Sequence, residues 1–505
     1  MAVRSYGSRS RLEGPPMPEA TEVLIVGAGP TGLMLAGDLA AAGVSVTVLE
    51  RRTERSQLTR AFAVHARTLE LLDARGIADE LVAGGVQIGK LQMIGDAQLD
   101  LRRLPSRFPY MLLTPQYATE AVLAKRAEAL GADVVAGVDV TGVEQDADGV
   151  SVTVRPADGT PRTRRAGYVV GADGMNSVVR GALGFPFPGR AALRSVMLAD
   201  VRLAVPQAMP VANAVREGIA FVSPLGDGWH RVVAWDRDRQ LPVEAPLDLE
   251  EVRTITRKAL GTDFGMHDPR WLSRFQTDER QVPRYRLGRV LLAGDAAHVH
   301  SPAGGQGMNT GLQDAANLAW RLAAVVRGWA PEGLLDGYQA ERHPIGREVI
   351  RDSGRMMRLA LIHSPVLSAA MNLLSRGAAA IPPVADRLAA KATGLAISYP
   401  APTGTHPRTG RRAPDLELAQ GTGTATRLYE ALRACRFVLV SRFPEVTGWE
   451  GRTITVAPAA GSKAPALLLV RPDGYIAWAA DDYDHDALLT ALTTWVGPRQ
   501  NVAST

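Results

Sequence analysis

Two glycine-flanked acids, Asp173 and Asp295, and a third acid, Glu50, each follow a short apolar run of the sequence. A carboxylate accepts hydrogen bonds at both oxygens, which suits the hydroxyl groups of a ribose or a ribityl chain. Glycines beside such acids let backbone or phosphate groups approach closely. The pattern predicts a dinucleotide site, provided that the surrounding elements bring these residues together.

The first element is a predicted strand that ends in a glycine-rich turn. Residues 23–26 are aliphatic, as expected of a buried parallel strand. After them, Gly27 permits the turn, Gly29 lets the backbone approach a pyrophosphate, and Gly32 lets the next helix pack close to the strand. This turn therefore predicts phosphate binding.

A helix and a second strand complete the unit. Residues 33–42 predict a helix whose positive N-terminal end faces the phosphates, and residues 44–49 predict a strand that ends in Glu50. Glu50 lies 50 − 32 = 18 residues after Gly32, close to the roughly 20 expected for an acid on the adenosine ribose. The whole unit predicts a dinucleotide-binding α/β domain.

A distant segment distinguishes FAD from NAD. Residues 290–293 predict another buried strand, and Gly294 and Asp295 follow it, so that the acid can reach the ribityl hydroxyls of a flavin. Residues 301–309 form a glycine-rich turn that leads into a predicted helix at residues 310–326. Backbone N–H groups at that helix start can polarise the flavin. The alternative is an aspartate that merely caps a helix.

A third strand–turn–helix pattern lies between these two, at residues 168–180. We expect Asp173 and Arg180 to form a buried or half-buried pair. Two interpretations stay open: the pair organises the fold, or it lies near the pyrophosphate or the approach of the nicotinamide.

The three motifs together resemble the single-component (class A) FAD-dependent aromatic hydroxylases, typified by para-hydroxybenzoate and phenol hydroxylases. The nearest branch acts on aromatic polyketides and includes rifampicin monooxygenase. The resemblance extends from about residue 22 to the end of the chain. It rests on these features: the glycine motif at 27–32, Arg60-Ala61, Arg67-Thr-Leu-Glu70, Arg75-Gly76, Asp173-Gly174, Gly294-Asp295, residues 304–311, Asp314 and Gln339-Ala-Glu-Arg342.

The resemblance implies roles for individual residues. Thr31 would lie at the pyrophosphate turn, Glu50 on the ribose and Arg51 beside the adenosine. Arg60 would lie over the flavin as a catalytic and binding residue, and Pro302 would line the oxygen site as the second catalytic residue. The remaining implied cofactor contacts are Gln116 and Asp295 at the ribityl chain and backbone groups of Met308 and Asn309 at the isoalloxazine. Two departures from the family pattern, Thr114 and Asn176, would affect the pocket only.

Composition narrows the function further. The chain has 505 residues, of which 46% are hydrophobic and 22% charged, as expected of a globular protein of two or three domains. Its net charge is +5, but 52 of the 57 basic residues are arginines scattered along the chain, which does not predict nucleic-acid binding. A single cysteine, Cys435, excludes an internal disulfide and a cysteine metal cluster, so we predict no metal site and a cytoplasmic location.

The predicted fold class is α/β, with a Rossmann-like FAD domain, an inserted β-sheet and a thioredoxin-like C-terminal domain. Residues 1–19 predict a disordered leader. Residues 359–375 predict a helix packed between domains, with a subunit contact as the second interpretation, rather than a membrane span. The FAD domain would comprise residues 20–184 and 285–398, including helices between the domains. The other boundaries are 185–284 for the substrate-binding sheet, 399–414 for a linker and 415–505 for a thioredoxin-like unit without Cys-x-x-Cys.

A hairpin is predicted around Gly226-Asp-Gly228 in the inserted sheet. Aromatic residues on its two strands, Phe221, Trp229 and Trp235, either line a substrate cavity or belong to the core. His230 and Tyr110 are candidate bases, although structural roles suit both.

The resemblance implies hydroxylation of a polycyclic aromatic substrate of polyketide type, with NADPH (or NADH) and O₂, through a flavin C4a-hydroperoxide. No second glycine motif follows a predicted strand, which fits a family in which NADPH has no domain of its own. Baeyer–Villiger oxygenation on the same scaffold and a non-catalytic flavin-binding protein stay open as alternatives. A halogenase is disfavoured, because its Trp-x-Trp-x-Ile-Pro sequence is absent. We expect no membrane partner, and a monomer or homodimer.

Overall fold

The computed structural model describes residues 20–55, 61–92, 97–361, 365–419, 424–444 and 446–500. These residues form three units. The inserted unit is residues 189–281, the C-terminal unit contains the elements between residues 428 and 496, and the nucleotide unit is formed by the residues before and after the inserted unit. The α-helices are α1 Pro30–Ala41, α2 Ala66–Asp73, α3 Ala78–Ala83, α4 Gln116–Ala129, α5 Val178–Ala182, α6 Leu249–Leu260, α7 Gln306–Val326, α8 Asp336–Ala360, α9 Pro365–Ala380, α10 Pro382–Ala392, α11 Leu428–Ala431 and α12 His485–Val496.

The strands are interspersed with helices in the nucleotide unit and mostly follow one another in the inserted and C-terminal units. They are β1 Ala20–Val26, β2 Val46–Glu50, β3 Ala63–Val64, β4 Val86–Ile88, β5 Lys90–Gln92, β6 Gln98–Asp100, β7 Met111–Leu113, β8 Asp133–Ala136, β9 Asp139–Gln145, β10 Val150–Arg155, β11 Arg162–Gly171, β12 Gly189–Leu203, β13 Val211–Val215, β14 Gly218–Gly226, β15 Trp229–Asp236, β16 Met266–Gln281, β17 Arg286–Leu287, β18 Val290–Leu292, β19 His298–Val299, β20 Phe437–Ser441, β21 Thr453–Val456, β22 Leu467–Val470 and β23 Ile476–Ala480.

The nucleotide unit is built on a sheet of order β17-β18-β11-β1-β2-β8, with β9 and β10 continuing from β11. Strands β18, β11, β1, β2 and β8 run parallel, and their aliphatic residues are buried against α1, α4 and α7. A parallel sheet covered on both faces explains why β1 reads as an unbroken aliphatic run. The predicted α/β fold is confirmed.

The inserted unit is a sheet of order β13-β14-β15-β12-β16-β19. One face packs on α6, and the alternation along each strand turns the other face toward the nucleotide unit. The predicted hairpin is confirmed: β14 and β15 pair antiparallel around Asp227 and Gly228, whose φ angles are +52° and +75°. Positive φ at both turn residues is typical of the tight turns that match strand twist.

The C-terminal unit has a four-stranded sheet of order β21-β20-β22-β23, in which β20 and β21 are parallel and the other pairs antiparallel. This mixed sheet with α12 is the arrangement expected of a thioredoxin-like unit. The segment predicted as a linker packs on this sheet: Gly410 N–H donates to the carbonyl of Ile476, and the Tyr399 and Tyr475 rings lie 4.2 Å apart.

The prediction of one helix packed between domains at residues 359–375 is wrong. In the described part, α8 ends at Ala360 and α9 begins at Pro365. Leu373 and Leu374 on α9 are 74% and 73% exposed. The apolar composition that suggested an interdomain helix therefore belongs to a surface helix. None of the described helices combines the length and the apolar character that crossing a bilayer requires.

Candidate active site

The parallel strands bring the sequence motifs to one edge of the nucleotide sheet. Gly27 follows β1, Glu50 ends β2, Asp173 follows β11 and Asp295 follows β18. Because parallel strands end at the same edge, residues that are more than 200 positions apart in the sequence become neighbours. The crevice beyond the carboxyl ends of such strands is where open α/β sheets bind ligands.

The three motif glycines meet different surroundings. A Cβ added to Gly27 would lie 2.5 Å from the Ala172 carbonyl oxygen, and one added to Gly32 would lie 2.0 Å from the Gly27 carbonyl oxygen. A Cβ at Gly29 would meet nothing within 4 Å. Gly29 precedes α1, whose start has no side-chain cap. The helix therefore presents free N–H groups to open space, as an anion site requires.

Glu50 is buried and is bonded on both sides. Its Oε2 accepts from the Ala28 N–H at 2.9 Å, and its Oε1 accepts from Arg52 Nε at 2.9 Å. Burial raises the pKa of Glu50, but the hydrogen bonds from Arg52 and Ala28 outweigh it, so the pKa lies below its usual range. Arg51, the residue predicted beside the adenosine, is exposed; the pairing arginine is Arg52.

Thr31 joins the two main motifs. A Cβ added to Gly294 would lie 2.7 Å from Thr31 Oγ1, and one added to Gly311 would lie 2.3 Å from it. The Thr31 side chain thus occupies the space that two glycines leave free where α1, α7 and the Gly294 turn meet. The predicted pyrophosphate residue therefore also sets the distance between these elements.

A buried ionic network holds the Gly294–Ala296 turn from behind. Asp314 Oδ2 accepts from the Gly294 N–H at 3.2 Å and contacts His298 Nε2 at 2.6 Å, while its Oδ1 accepts from Arg342 Nε at 2.7 Å. Burial raises the pKa of Asp314, but His298 and Arg342 outweigh it and hold the pKa below its usual range. The turn exposes Asp295 to solvent, and no partner of its carboxylate lies among the described residues.

Sequence reasoning missed this support of the turn, although Asp314 and Arg342 were noted as typical of the family. The available signal was that each charged residue stands in a helical stretch near apolar residues, where an acid and an arginine cannot both be buried unpaired.

Residues 301–305, the glycine loop, lead into α7. This helix begins at Gln306, four residues earlier than predicted. Gly305 before it has φ +63°, and no side chain caps the helix start. Met308 and Asn309 therefore lie in the first turn of α7 and are buried. The Asn309 side chain is fully used: Oδ1 accepts from the His65 N–H at 2.9 Å, and Nδ2 donates to the carbonyl oxygens of Ala63 and Gly305 at 2.9 and 2.8 Å.

Two further residues complete the wall beside this helix start. Gln116 Oε1 accepts from the Ala61 N–H at 3.1 Å, so this side chain orders the segment before β3. The buried His65 ring lies below the glycine loop, and burial lowers the pKa of His65 to about 4, so the ring is neutral at neutral pH. Pro302 is exposed at the turn of the loop. Arg60 lies outside the described residues.

The predicted pairing of Asp173 with Arg180 is wrong. Asp173 Oδ2 accepts from the N–H groups of Val178 and Val179 at the start of α5, and burial raises the pKa of its carboxyl. Arg180 donates instead to the carbonyl oxygens of Met175 and Ala296. Asp173 Oδ1 is buried without a hydrogen-bond partner among the described residues.

The three aromatic residues of the inserted sheet share the face toward the nucleotide unit. The Phe221 ring lies 5.8 Å from the ring of Phe62, next to β3. Trp229 lies against the guanidinium groups of Arg202 and Arg270, and Trp235 is enclosed in a small core that α8 completes. Only Phe221 therefore meets the nucleotide unit near the start of α7.

The two candidate bases have structural contacts. His230 is buried, and its Nε2 lies 3.1 Å from both the backbone N and the carbonyl oxygen of Gln207. Burial raises the pKa of Tyr110, whose ring meets the edge of Phe108.

These surroundings fit FAD. The open space at Gly29 and the uncapped start of α1 suit a pyrophosphate, and the exposed carboxylate of Asp295 suits sugar hydroxyls. The uncapped start of α7 offers N–H groups and a positive dipole end to the electron-rich edge of a flavin. The unpartnered Oδ1 of Asp173 is a further buried acceptor at the same edge of the sheet.

Comparison with known proteins gives the same cofactor. Residues 20–353 match the model of an FAD-binding domain family, and residues 406–498 match the C-terminal domain of aromatic-ring hydroxylases. A 12-dehydrotetracycline 5-monooxygenase/anhydrotetracycline 6-monooxygenase from Streptomyces rimosus is 40% identical over 94% of this chain and 99% of its own length. A rifampicin monooxygenase from Streptomyces venezuelae is also 40% identical, over 94% of this chain and 98% of its own length.

The fold agrees over the same span. The solved structure of an anhydrotetracycline hydroxylase from Streptomyces rimosus superimposes with a TM-score of 0.84 and 40% identity, covering 95% of this chain and 100% of that one. Motifs, fold and relatives thus coincide along nearly the whole chain. The chain belongs to the FAD-dependent aromatic-ring hydroxylases and is a flavin monooxygenase that uses NAD(P)H as reductant.

Proposed function

We propose that this enzyme uses NADPH and O₂ to hydroxylate a polycyclic aromatic polyketide. One observation carries the proposal: Phe221 of the inserted sheet meets Phe62, and Phe62 precedes β3, which Asn309 ties to the start of α7. An aromatic wall beside the flavin end of the site suits a flat, electron-rich ring system. The substrates named for the tetracycline and rifampicin relatives belong to the same chemical class.

The geometry suggests separate roles for FAD and for the residues around it. FAD supplies the oxygen-transfer chemistry, which side chains do not provide. Gly29 leaves space that the FAD pyrophosphate would occupy, and Glu50 and Asp295 would accept hydrogen bonds from the ribose and ribityl hydroxyls. The first turn of α7, at Met308 and Asn309, would stabilise negative charge on the flavin through its N–H groups. The further proposed cofactor residues, carried from the sequence, are Gly27, Thr31, Gly32, Arg51, Arg60, Gln116 and Asp173.

Two residues are proposed at the oxygen and substrate side. Pro302 is exposed at the turn before α7, where it would help to exclude water from the reacting groups. Phe221 is kept as a substrate contact, whereas the enclosed Trp235 and the arginine-flanked Trp229 are given structural roles.

The finer proposals concern location and assembly. The Cys435 thiol is largely enclosed and accepts a hydrogen bond from Arg126 at 3.4 Å, and burial raises its pKa. A single cysteine cannot form an internal disulfide, which suits the reducing cytoplasm, where we propose that the enzyme works as a monomer or a homodimer.

The test measures NADPH oxidation by the FAD-loaded enzyme with and without a panel of polyketide aromatics, with isotopically labelled O₂. We expect substrate-stimulated NADPH oxidation and one labelled oxygen on an aromatic carbon. Phe221→Ala should raise KM about tenfold while FAD affinity stays unchanged, because the ring contacts substrate and not the cofactor. Phe443→Ala, at a partly exposed ring of the C-terminal unit, is the matched control.

Other results would identify the alternatives. Labelled oxygen inserted between a carbonyl carbon and its neighbour would indicate Baeyer–Villiger chemistry. FAD binding without NADPH consumption by any aromatic would favour a non-catalytic flavin protein. An equal KM for Phe221→Ala and the wild type would remove Phe221 from the substrate site.

A further inference from the structure

A turn of the C-terminal unit reaches between two helices of the nucleotide unit. This docking turn, residues 471–474, follows β22. The carbonyl oxygen of Asp473 accepts from Arg67 Nη2 on α2 at 2.6 Å, and its carboxylate lies 3.4 Å from Asn317 Nδ2 on α7. One residue of the C-terminal unit thus contacts both helices.

The approach of the docking turn to α2 depends on a glycine. Gly474 has φ +76°, and a Cβ added there would lie 3.1 Å from Arg67 Nη2. A side chain at this position would be strained in its backbone and would also push against the guanidinium group.

Arg67 is enclosed where the docking turn meets α2. It is 1% exposed, and its Nη1 donates to Glu70 Oε2 at 3.1 Å and to Tyr429 Oη at 3.3 Å. The guanidinium also lies 4.8 Å from the centre of the Tyr475 ring. Its contacts therefore join α2 to two separate parts of the C-terminal unit.

The same end of α2 is bonded to the glycine loop. His65, two residues before Arg67, donates its backbone N–H to Asn309 Oδ1, and Asn309 Nδ2 donates to the Gly305 carbonyl oxygen. Helices α2 and α7 both begin at this loop, and the docking turn contacts α2 at its second residue, Arg67, and α7 farther along, at Asn317. A displacement of α2 relative to α7 would therefore move the His65–Asn309–Gly305 contacts directly.

We infer that the docking turn is a positioning element of the cofactor site. By holding Arg67, it fixes the start of α2 against the start of α7 and so the shape of the glycine loop. This gives a C-terminal unit without a Cys-x-x-Cys motif a role in flavin binding. The inference rests on the proposed placement of the flavin at the start of α7.

The experiment compares two glycines of the C-terminal unit that have nearly the same backbone conformation. Gly474→Ala strains the docking turn below Arg67, whereas Gly461→Ala, at φ +78° and with nothing within 4 Å of the added Cβ, imposes the backbone strain alone. The Kd of each apo-protein for FAD is measured by flavin fluorescence, the visible circular dichroism of the bound flavin is recorded, and the Tm reports stability.

We expect both variants to lose Tm, but only Gly474→Ala to raise the Kd for FAD, by about fivefold or more, and to change the flavin circular dichroism. Arg67→Met should raise the Kd similarly, and Arg67→Lys, which keeps the charge, should do so less. If Gly474→Ala does not accumulate as folded protein, Arg67→Lys against Gly461→Ala decides, and the inference then requires that only Arg67→Lys raises the FAD Kd more than twofold.

An FAD Kd within twofold of the wild type for folded Gly474→Ala and Arg67→Met would overturn the inference. The measurement does not depend on turnover. A wild-type enzyme that binds FAD but oxidises no aromatic compound would contradict the proposed function and leave this comparison valid.

Discussion

Each glycine of the N-terminal motif has a different physical reason to be glycine. Gly27 and Gly32 are fixed by neighbouring carbonyl oxygens, whereas Gly29 faces open space. Packing alone would allow a side chain at Gly29 but not at the other two. The requirement for glycine at Gly29 comes from the ligand, and this can be measured.

Gly29→Ala is expected to weaken FAD binding without unfolding the protein. Replacing glycine by alanine at a helix N-cap costs less than about 1 kcal/mol, so the Tm of the apo-protein should change little, while the Kd for FAD rises about tenfold or more. Gly32→Ala should lower the Tm sharply, because its Cβ would collide with the backbone of Gly27. Equal FAD affinity in Gly29→Ala and wild type would show that the pyrophosphate lies elsewhere.

For individual residues, the sequence predicts where the acids lie but not which groups form hydrogen bonds with them. Glu50 and Asp295 lie at the predicted edge of the sheet, because parallel strands fix where a strand-terminal residue points. The pairing of Glu50 with Arg52 was not predicted, and Arg180 bonds to carbonyl oxygens rather than to Asp173. Both depend on side-chain directions in turns. No period or spacing in the sequence encodes those directions.

The crossing of α1 and α7 is the element-level contact on which the site depends. Thr31 fills the space left by Gly311 on α7 and Gly294 in the neighbouring turn. A glycine at a helix crossing lets a side chain of the other helix come close to its backbone, as Thr31 does here.

A double-mutant cycle tests this contact. Gly311→Ala alone should lower the Tm and the FAD content, because its Cβ would lie 2.3 Å from Thr31 Oγ1. Adding Thr31→Ala removes that oxygen and leaves the Thr31 Cβ position 3.6 Å away, an ordinary contact. We expect the second change to restore at least about 1 kcal/mol of stability. Additive losses in the double variant would contradict the proposed packing.

Elements with a clear hydrophobic period or turn sequence could be predicted. Properties that depend on packing against other elements, such as the exposure of a helix, could not. The run of β1, the turn at Asp227-Gly228 and the strands of the C-terminal unit follow from local residue types. The apolar residues of α9 gave no sign that Leu373 and Leu374 would be exposed, because composition does not show what covers a helix. The early start of α7 was missed because glycines obscured its first turn.

A buried ion pair joins the nucleotide unit to the C-terminal unit. Glu341 on α8 contacts Arg471 of the C-terminal unit at 2.8 Å and Arg321 on α7 at 2.8 Å. Burial raises the pKa of Glu341, but the charges of Arg471 and Arg321 outweigh it and lower the pKa to about 2. Glu341 is therefore ionised in the folded protein at neutral pH.

This pKa predicts how acid affects the whole molecule. The stability that Glu341 contributes is complete above its ordinary pKa of 4.5 and is lost as pH falls from there to about 2. Glu341→Gln should lower stability at pH 7 by about 3 kcal/mol, since it leaves the buried Arg321 without its anion and leaves Arg471 with Asp473 alone, and it should flatten this acid-induced loss. Urea unfolding at pH 7 and at pH 3 measures both effects. A free energy of unfolding that falls as much between these pH values in Glu341→Gln as in the wild type would contradict the prediction. Glu128→Ala, at a partly exposed ion pair, is the control.

The pairing of β18 with β11 also determines when the sheet of the nucleotide unit can be completed during translation. Gly171 and Leu292 are partners although 292 − 171 = 121 residues separate them. At roughly 10 residues per second, the ribosome needs about ten seconds to make that interval. A growing chain therefore exposes the unpaired end of β11 while the whole inserted sheet is translated, and flavin has no complete site to enter until α7 has emerged.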